Sequence, residues 1–199
     1  MAVLHTDLEK YLPLLARGKV REIYDLDDGN LLFVATDRIS GTHGPVSLHL
    51  SSLADTRLAY DVIMKNGIDQ KGSILTSLSE FWFDLLMSNE SHKVPNLKSH
   101  YVSCELPSKV QQMLPTYLVS QLVGRSMVVR RLKVLPIESI VRGYITGSAW
   151  ASYKVNGTVC DIQMPSDLQE SQKLLRPLWT PSTKAQIGGV DENISRAKG

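Results

Sequence analysis

Apolar residues between positions 71 and 88 recur at intervals of three and four. They are Ile74, Leu75, Leu78, Phe81, Trp82, Leu85 and Leu86. This spacing places side chains on one face of an α-helix, for which Ser73 is available as the N-cap. The pattern therefore predicts a helix whose aromatic face belongs to the protein core.

Two runs nearer the N-terminus are rich in β-branched and aromatic residues. KVREIYDL, at 19–26, and NLLFVAT, at 30–36, flank the turn-forming cluster DDGN, and this arrangement predicts a β-hairpin. Further along, SMVVRRLKV at 126–134 predicts a strand. Pro136 interrupts that strand, and extended structure is expected to resume at 137–145.

Capping signals predict two shorter helices. The segment Thr6-Asp7-Leu8-Glu9 matches a capping box and predicts a helix that continues to about Ala16. Ser148 can cap a second helix that ends near Asn156, where Gly157 is a natural stop.

The remaining segments have weaker patterns. Residues 88–125 are polar and interrupted by proline, so only loops and short strands are expected there, and a short helical piece is expected near 168–174. Strands and helices come in mixed order, without the regular alternation of βαβ units. An α+β fold is therefore favoured over a doubly wound sheet.

Bulk properties limit the possible function classes. The chain has 199 residues, enough for one domain or for one and part of a second. Its formal net charge of +2 gives no reason to expect nucleic-acid binding. Cys104 and Cys160 lie far apart, which indicates neither a disulfide framework nor a zinc site. Neither a signal-peptide pattern nor a run of ~18 apolar residues is present, so a cytoplasmic protein is expected.

The first candidate site is the segment ARGKVR at 16–21. Gly18 lets backbone amides approach an anion closely, and Lys19 and Arg21, two residues apart, are expected to share one face of a strand. Two cations beside a glycine at the mouth of a hairpin suit a polyphosphate. The alternative is a solvated basic edge that discourages strand pairing.

The second candidate site is the segment VRGYITGSAW at 141–150. A strand delivers Arg142, two glycines turn the chain, and a helix begins at Ser148. The helix N-terminus, the serine hydroxyl and a bidentate arginine together suit a phosphate monoester or a carboxylate. The alternative is a capped helix after an ordinary turn.

The third candidate site combines TPSTK at 180–184 with DEN at 191–193. Its hydroxyls, lysine and acids suit an amino-acid substrate, or an acid placed near Mg²⁺, and the alternative is a solvated loop. The chain offers no Ser-His-Asp or Cys-His arrangement, and its five histidines lack the spacing of metal ligands.

Seven blocks of the sequence, taken in order, resemble the SAICAR synthetase family in its fungal type. They are RGKVREIY, LLFVATDRIS, AYDVIM, KGSILTSLSEFWF, LPIESIVRGYITGSAW, TPSTKA and DENIS. The resemblance implies a two-lobed α+β fold with the active site between the lobes. A β-rich ATP-binding lobe, similar to a kinase N-lobe, is expected over 1–134, and the first part of a mixed substrate-binding lobe over 135–199.

The resemblance also implies a reaction, that of an ATP-dependent carboxylate–amine ligase of purine biosynthesis. ATP, L-aspartate and carboxyaminoimidazole ribonucleotide give the succinocarboxamide ribonucleotide (SAICAR), ADP and phosphate. A carboxylate is a poor electrophile, so ATP must first convert it into an acyl phosphate or an equivalent, with Mg²⁺ neutralising the developing charge. The implied partners are these small molecules, without nucleic acid or membrane, and the protein is expected to be a monomer.

The residues that resemble the ATP site lie in the first lobe and at its end. Gly18, Lys19 and Arg21 resemble the phosphate loop of the family. Val134, in LKVLP, resembles the residue whose backbone contacts adenine.

Other residues resemble the part of the family site that handles the second substrate and the acceptor. Arg142 and Ser148 resemble the anchors of the imidazole ribonucleotide. The resemblance implies catalytic roles for Lys184 and Asp191 at the acceptor site, and for Asp61 beside the reacting carboxylates.

Two departures from the family pattern affect the expected activity. Eighteen residues, 41–58, separate DRIS from AYDV, which adjoin in the family, and we interpret them as an interruption of an active-site loop. The family continues beyond DENIS to acids expected to hold Mg²⁺, so no metal ligand is assigned in this chain. Little or no ligase activity is therefore expected from this chain.

Two further function classes stand beside the ligase. One is a non-catalytic module that keeps nucleotide affinity through Lys19, Arg21 and Arg142 but performs no chemistry. The other is a kinase-like phosphotransferase, which the absence of H-R-D and D-F-G motifs argues against.

Overall fold

The computed structural model describes residues 1–41, 62–88, 97–184, 192–195 and 197–198. The chain divides into two compact units, Met1–Leu132 and Lys133–Gly199. The domain boundary expected after residue 134 stays a prediction. Of the interruption at 41–58, only Gly41 belongs to the described residues.

The described residues of the first unit form seven strands and three helices. In chain order these are β1 (Leu14–Arg17), β2 (Arg21–Asp25), β3 (Asn30–Ala35), β4 (Ser40–Gly41), β5 (Val62–Ile63), α1 (Lys71–Met87), β6 (Tyr101–Ser103), α2 (Ser108–Met113), α3 (Thr116–Leu122) and β7 (Ser126–Arg130). The mixture of helices with antiparallel strands confirms the α+β class.

Five of these strands form one antiparallel sheet in the order β1-β2-β3-β7-β6. The hairpin β2–β3 is a confirmed prediction. The strand predicted at 126–134 is confirmed as β7, which ends at Arg130. Glu22 of β2 lies opposite Val34 of β3, and Tyr24 lies opposite Leu32, so these four buried side chains share one face of the sheet. Two residues of the turn between the strands are left-handed, Asp27 at φ 57° and Gly29 at φ 82°.

The core of the first unit lies on this face of the sheet, where α2 and α3 cover it. Its buried apolar members are Leu8, Leu12, Tyr24, Leu26, Leu32, Val34, Leu106, Val110, Leu114, Leu118, Leu122 and Val128. The prediction of only loops and short strands for 88–125 is wrong where α2 and α3 form. Pro107 and Pro115 are the N-cap residues of these helices, so prolines that suggested interruption instead mark where helices begin.

Helix α1 is confirmed, but its packing differs from the prediction. Its N-cap is Gln70 in the left-handed conformation rather than Ser73, and Phe81 and Trp82 on its aromatic face are 56% and 54% exposed. The buried residues of the helix are Gly72 and Thr76. A Cβ on Gly72 would lie 2.3 Å from the Ala35 carbonyl oxygen, so the small-residue side of α1 rests directly on β3. The prediction that the aromatic face is core is therefore wrong.

The helix predicted from Thr6 to about Ala16 is also wrong. A turn occupies residues 9–12, and β1 follows. The Thr6 hydroxyl binds Glu22 instead of capping a helix, and Asp25 donates its backbone N–H to the Pro13 carbonyl at 2.9 Å. Long-range pairing with β2 therefore replaces the local helix.

The described residues of the second unit form six strands and one helix. In chain order these are β8 (Ile137–Glu138), β9 (Val141–Tyr144), α4 (Gly147–Asn156), β10 (Thr158–Val159), β11 (Ile162–Gln163), β12 (Lys173–Trp179) and β13 (Ser182–Thr183). They pair antiparallel as β8–β13, β9–β12 and β10–β11. The core of this unit is formed by Ile145, Ala149, Tyr153, Val159 and Cys160.

Two local predictions fail in the second unit and one is confirmed. The short helix near 168–174 is wrong, because β12 begins at Lys173 and pairs with β9. Ser148 lies inside the first turn of α4, whose N-cap is Thr146. Gly157 ends the helix at φ 73°, as predicted. No helix in the described part of the chain combines the length and apolarity needed to cross a membrane.

Candidate functional site

The carbonyl oxygens of the turn between β1 and β2 accept hydrogen bonds from the segment that follows β3. Arg38 donates from Nη2 to the Gly18 carbonyl at 2.8 Å and from Nε to the Lys19 carbonyl at 3.0 Å. Thr36 donates both its backbone N–H and its hydroxyl to the Val20 carbonyl, each at 2.9 Å. Sequence reasoning did not assign Arg38 or Thr36, because these contacts join positions 16 to 20 residues apart.

Arg38 is itself held by a buried carboxylate. Its Nη1 donates to Glu22 Oε1 at 2.8 Å, and Arg38 and Glu22 are 3% and 0% exposed. Burial alone would raise the pKa of the Glu22 carboxyl. Hydrogen bonds from Thr6, Arg38 and Tyr24 outweigh burial and lower this pKa to about 2. Glu22 is therefore charged, and it holds the Arg38 guanidinium that binds the turn.

Lys19 and Arg21, predicted to share a strand face, occupy different elements. Strand β2 begins at Arg21, so Lys19 lies in the preceding turn and strand alternation does not relate the two side chains. The Arg21 guanidinium lies over the Phe33 ring, 5.2 Å from its centroid. Arg21 is thus fixed beside an aromatic surface.

A cavity of about 180 Å³ lies between α1 and the sheet of the first unit. Polar side chains reach it from Arg21, His100 and Arg125, and Phe33 and Met127 contribute apolar surface. Cations beside aromatic and apolar surface suit a nucleotide. Ligand sites for whole drug-sized molecules span roughly 300–1,000 Å³, so this cavity fits a portion of a nucleotide rather than all of it.

Arg125, which also lines this cavity, is only partly hydrogen-bonded. Its Nη1 donates to Asp37 Oδ1 at 3.0 Å, but its buried Nε has no hydrogen-bond partner among the described residues. Asp37 also accepts the backbone N–H groups of Val3 and Gly72, at 2.7 and 2.8 Å. Burial would raise the pKa of Asp37, but these hydrogen bonds and Arg125 lower it below its ordinary value.

A second polar cluster lies in the second unit and joins two of the predicted site residues. Arg142, on β9, donates from Nη2 to the Ser148 hydroxyl at 2.9 Å and from Nε to the Thr180 hydroxyl at 3.0 Å. Gly147 precedes Ser148 with φ 56°, a conformation that favours glycine. The cluster places a guanidinium at the N-terminus of a ten-residue helix, an arrangement that attracts anions. Thr180 lies in the third candidate segment, but its contact with Arg142 was not predicted.

The remaining predicted site residues are separate from this cluster or undescribed. Lys184 forms an ion pair with Glu138, beside the pairing of β13 with β8. Val134 is 80% exposed. Asp61 and Asp191 lie outside the described residues. The roles inferred for all the site residues stay predictions.

Comparisons with known proteins agree on one family. The family model described as SAICAR synthetase matches residues 45–199. A phosphoribosylaminoimidazole-succinocarboxamide synthase of Cyberlindnera jadinii is 48% identical over 200 residues, which cover 98% of this chain and 57% of that protein. The synthase of Saccharomyces cerevisiae is 47% identical over 199 residues, covering 100% of this chain and 58% of its own length. The chain thus spans a little more than half the length of these curated relatives.

Solved structures give the same result for the fold. The SAICAR synthase of Saccharomyces cerevisiae complexed with SAICAR superposes with a TM-score of 0.74 at 44% identity, covering 98% of this chain and 57% of that one. A synthase from Ehrlichia chaffeensis, at 15% identity and a TM-score of 0.55, shares the fold alone. The resemblance found in the sequence and the fold that it implies are therefore confirmed.

Proposed function

Because the chain belongs to the SAICAR synthetase family, we propose that it carries the substrate-binding machinery of an ATP-dependent ligase of purine biosynthesis. The reaction joins the amine of L-aspartate to the carboxylate of carboxyaminoimidazole ribonucleotide. The products are SAICAR, ADP and phosphate. The proposed enzyme works as a cytoplasmic monomer on small molecules, without nucleic acid or membrane.

The observation that carries this proposal is the cavity at α1, which Arg21 and Arg125 line together with Phe33. The same cavity is lined by Arg21, at the start of β2, and by Val20, in the turn Gly18–Val20 that we call the basic turn. We assign ATP to this place, with Gly18, Lys19 and Arg21 at its phosphates, and keep Val134 as a proposed backbone contact to adenine.

The cluster of Arg142, Ser148 and Thr180 supports a place for the ribonucleotide. A phosphate monoester accepts several hydrogen bonds at once, and the guanidinium and the helix N-terminus supply donors of this kind. The related yeast synthase was solved with SAICAR bound. We propose that Arg142 and Ser148 anchor the phosphorylated end of this compound and of its precursor.

The proposed chemistry has two steps. The terminal phosphoryl group of ATP passes to a carboxylate oxygen of the ribonucleotide, and ADP leaves. The aspartate amine then attacks the acyl carbon, and the carbon–oxygen bond to phosphate breaks. Lys184, Asp61 and Asp191 are proposed to line the acceptor site. No step is assigned to the expected Mg²⁺, because the described residues contain no group of three or more His, Cys, Asp or Glu able to hold a metal ion.

One experiment separates this proposal from its alternative. ATP binding and SAICAR formation are measured on the same sample of purified 199-residue protein, with L-aspartate and the carboxylated ribonucleotide present. ATP binding accompanied by SAICAR formation supports the ligase and contradicts the expectation of little or no activity in this chain. ATP binding without turnover supports the non-catalytic nucleotide-binding module, and absence of ATP binding overturns both.

A further inference from the structure

Three consecutive carbonyl oxygens of the basic turn are bound from the protein interior. Arg38 binds those of Gly18 and Lys19, at 2.8 and 3.0 Å, and Thr36 binds that of Val20 through two donors at 2.9 Å. The turn therefore has a defined inner side, occupied by Arg38 and Thr36.

This arrangement determines the direction of the backbone amides. In a planar trans peptide, each carbonyl and the N–H of the following residue point in opposite directions. The N–H groups of Lys19 and Val20 are thus directed to the side of the turn away from the Arg38 guanidinium. Successive amides that point the same way form an anion-binding concavity. Val20 also lines the cavity at α1, so the turn lies at the border of the proposed nucleotide site.

The Arg38 side chain is built into the protein and cannot reorient freely. Its Nη1 also donates to the Leu4 carbonyl and to Glu22. Glu22 in turn accepts hydrogen bonds from Thr6 and Tyr24. A planar guanidinium reaches all of these acceptors in one fixed geometry, whereas a lysine ammonium has three donors on a flexible stem.

We propose that Arg38, assisted by Thr36, is a positioning residue that orients the Gly18–Val20 turn so that its amides bind the phosphate groups of a nucleotide. Arg38 does not touch the ligand and acts only through the turn. This inference rests on the proposed function, because it takes ATP as the ligand of this place.

The test compares the affinity for ATP with that for adenosine, which lacks phosphates. Both dissociation constants are measured by calorimetry for the unmodified protein and for Arg38→Lys, which keeps a positive charge beside Glu22. Arg38→Lys is expected to weaken ATP binding about tenfold or more relative to adenosine, the cost of misplacing a charge-assisted hydrogen bond. Thr36→Val, which is nearly isosteric, is expected to produce a smaller change in the same direction.

The matched control is Arg131→Lys, since Arg131 pairs with Asp25 at 2.8 Å near the other end of β2. It is expected to leave the ratio of the two affinities unchanged. An equal loss of ATP and adenosine binding in Arg38→Lys indicates a structural role only and overturns the inference. If Arg38→Lys does not fold, Thr36→Val decides, and an unchanged ratio in that variant overturns the inference.

An NMR titration separates this inference from the proposed function. In the ¹⁵N-labelled protein, pyrophosphate is expected to shift the amide signals of Lys19 and Val20, and to shift them less in Thr36→Val. ATP binding without any response at these two amides overturns the positioning role while leaving the proposed function in place. A protein that binds neither ATP nor pyrophosphate overturns the proposed function itself.

Discussion

Arg125 Nη1 lies 3.0 Å from Asp37 Oδ1, and this buried pair joins the residue before β7 to the segment that follows β3. Asp37 completes the connection by accepting the Gly72 N–H at 2.8 Å. Removing one partner of a buried ion pair leaves the other charge uncompensated. The position of α1 on the sheet therefore depends on a carboxylate that follows β3.

Replacement of Asp37 by asparagine is expected to lower the free energy of unfolding by about 3–5 kcal/mol. Urea unfolding followed by circular dichroism measures the change. The control is Asp25→Asn, which removes the more exposed ion pair with Arg131 and is expected to cost about 0–1 kcal/mol. Equal losses in the two variants would contradict the importance given to the Asp37 pair.

The low pKa of Glu22 predicts a dependence of stability on pH. The folded-state pKa, about 2, lies below the ordinary value of 4.5, so the folded protein favours the charged carboxylate. This contribution to stability is complete above about pH 5 and is lost as the pH falls from there toward 2. Unfolding midpoints in urea should therefore fall between pH 5 and pH 3.

Glu22→Gln, which is expected to be less stable at pH 5, should show a shallower fall over the same pH range. Glu9→Gln is the control, because Glu9 is an exposed carboxylate near the same turn. If the unmodified protein, Glu22→Gln and Glu9→Gln all show the same pH dependence, Glu22 is not responsible for the loss of stability.

Gly72 is expected to tolerate no side chain. A Cβ would lie 2.3 Å from the Ala35 carbonyl oxygen and 2.8 Å from Arg125 Nη1, so Gly72→Ala must displace α1 from β3. A loss of about 1–3 kcal/mol in the free energy of unfolding is expected. Gly143→Ala serves as the control, since a Cβ there meets nothing within 4 Å. Unchanged stability in Gly72→Ala would mean that the close approach of α1 is not needed.

Arg142→Lys is expected to weaken binding of SAICAR about tenfold or more. The reason is that lysine lacks the planar guanidinium, which donates to the Ser148 and Thr180 hydroxyls at once. Affinity for ATP, measured on the same protein by calorimetry, is expected to stay unchanged. Thr180→Val, which removes one hydrogen-bond partner of Arg142, should give a smaller loss. Unaltered SAICAR affinity in both variants would remove Arg142 from the proposed anchor.

Substitutions on the exposed aromatic face of α1 are expected to affect stability less than a substitution in the core. Phe81→Ser and Trp82→Gln should reduce binding of a hydrophobic dye such as ANS with little loss of stability, since both side chains are more than half exposed. Leu32→Ala, in the core, should instead cost about 2–5 kcal/mol. A similar loss of stability from Trp82→Gln would show that this face is buried in solution.

The sequence alone was sufficient to predict three local features of the fold. The DDGN cluster between two β-rich runs identified the hairpin β2–β3, and the three- and four-residue spacing identified α1. Gly157 marked the end of α4. Seven blocks in order also indicated the family, because a whole set of motifs is far more specific than any one of them. For the hairpin, for α1 and for the end of α4, the determining residues are neighbours along the chain.

Tertiary structure decided the features that join residues far apart in sequence. The periodicity of α1 could not show that Gly72, rather than the aromatic face, contacts β3, because that depends on the close approach of Ala35. Thr6 has a local capping option, but a buried Glu22 offers it a stronger partner. Arg38 organises the basic turn from about twenty residues away. The sequence therefore determined the family, the hairpin β2–β3 and the helix α1, and only the three-dimensional packing determined which side chains support the candidate site.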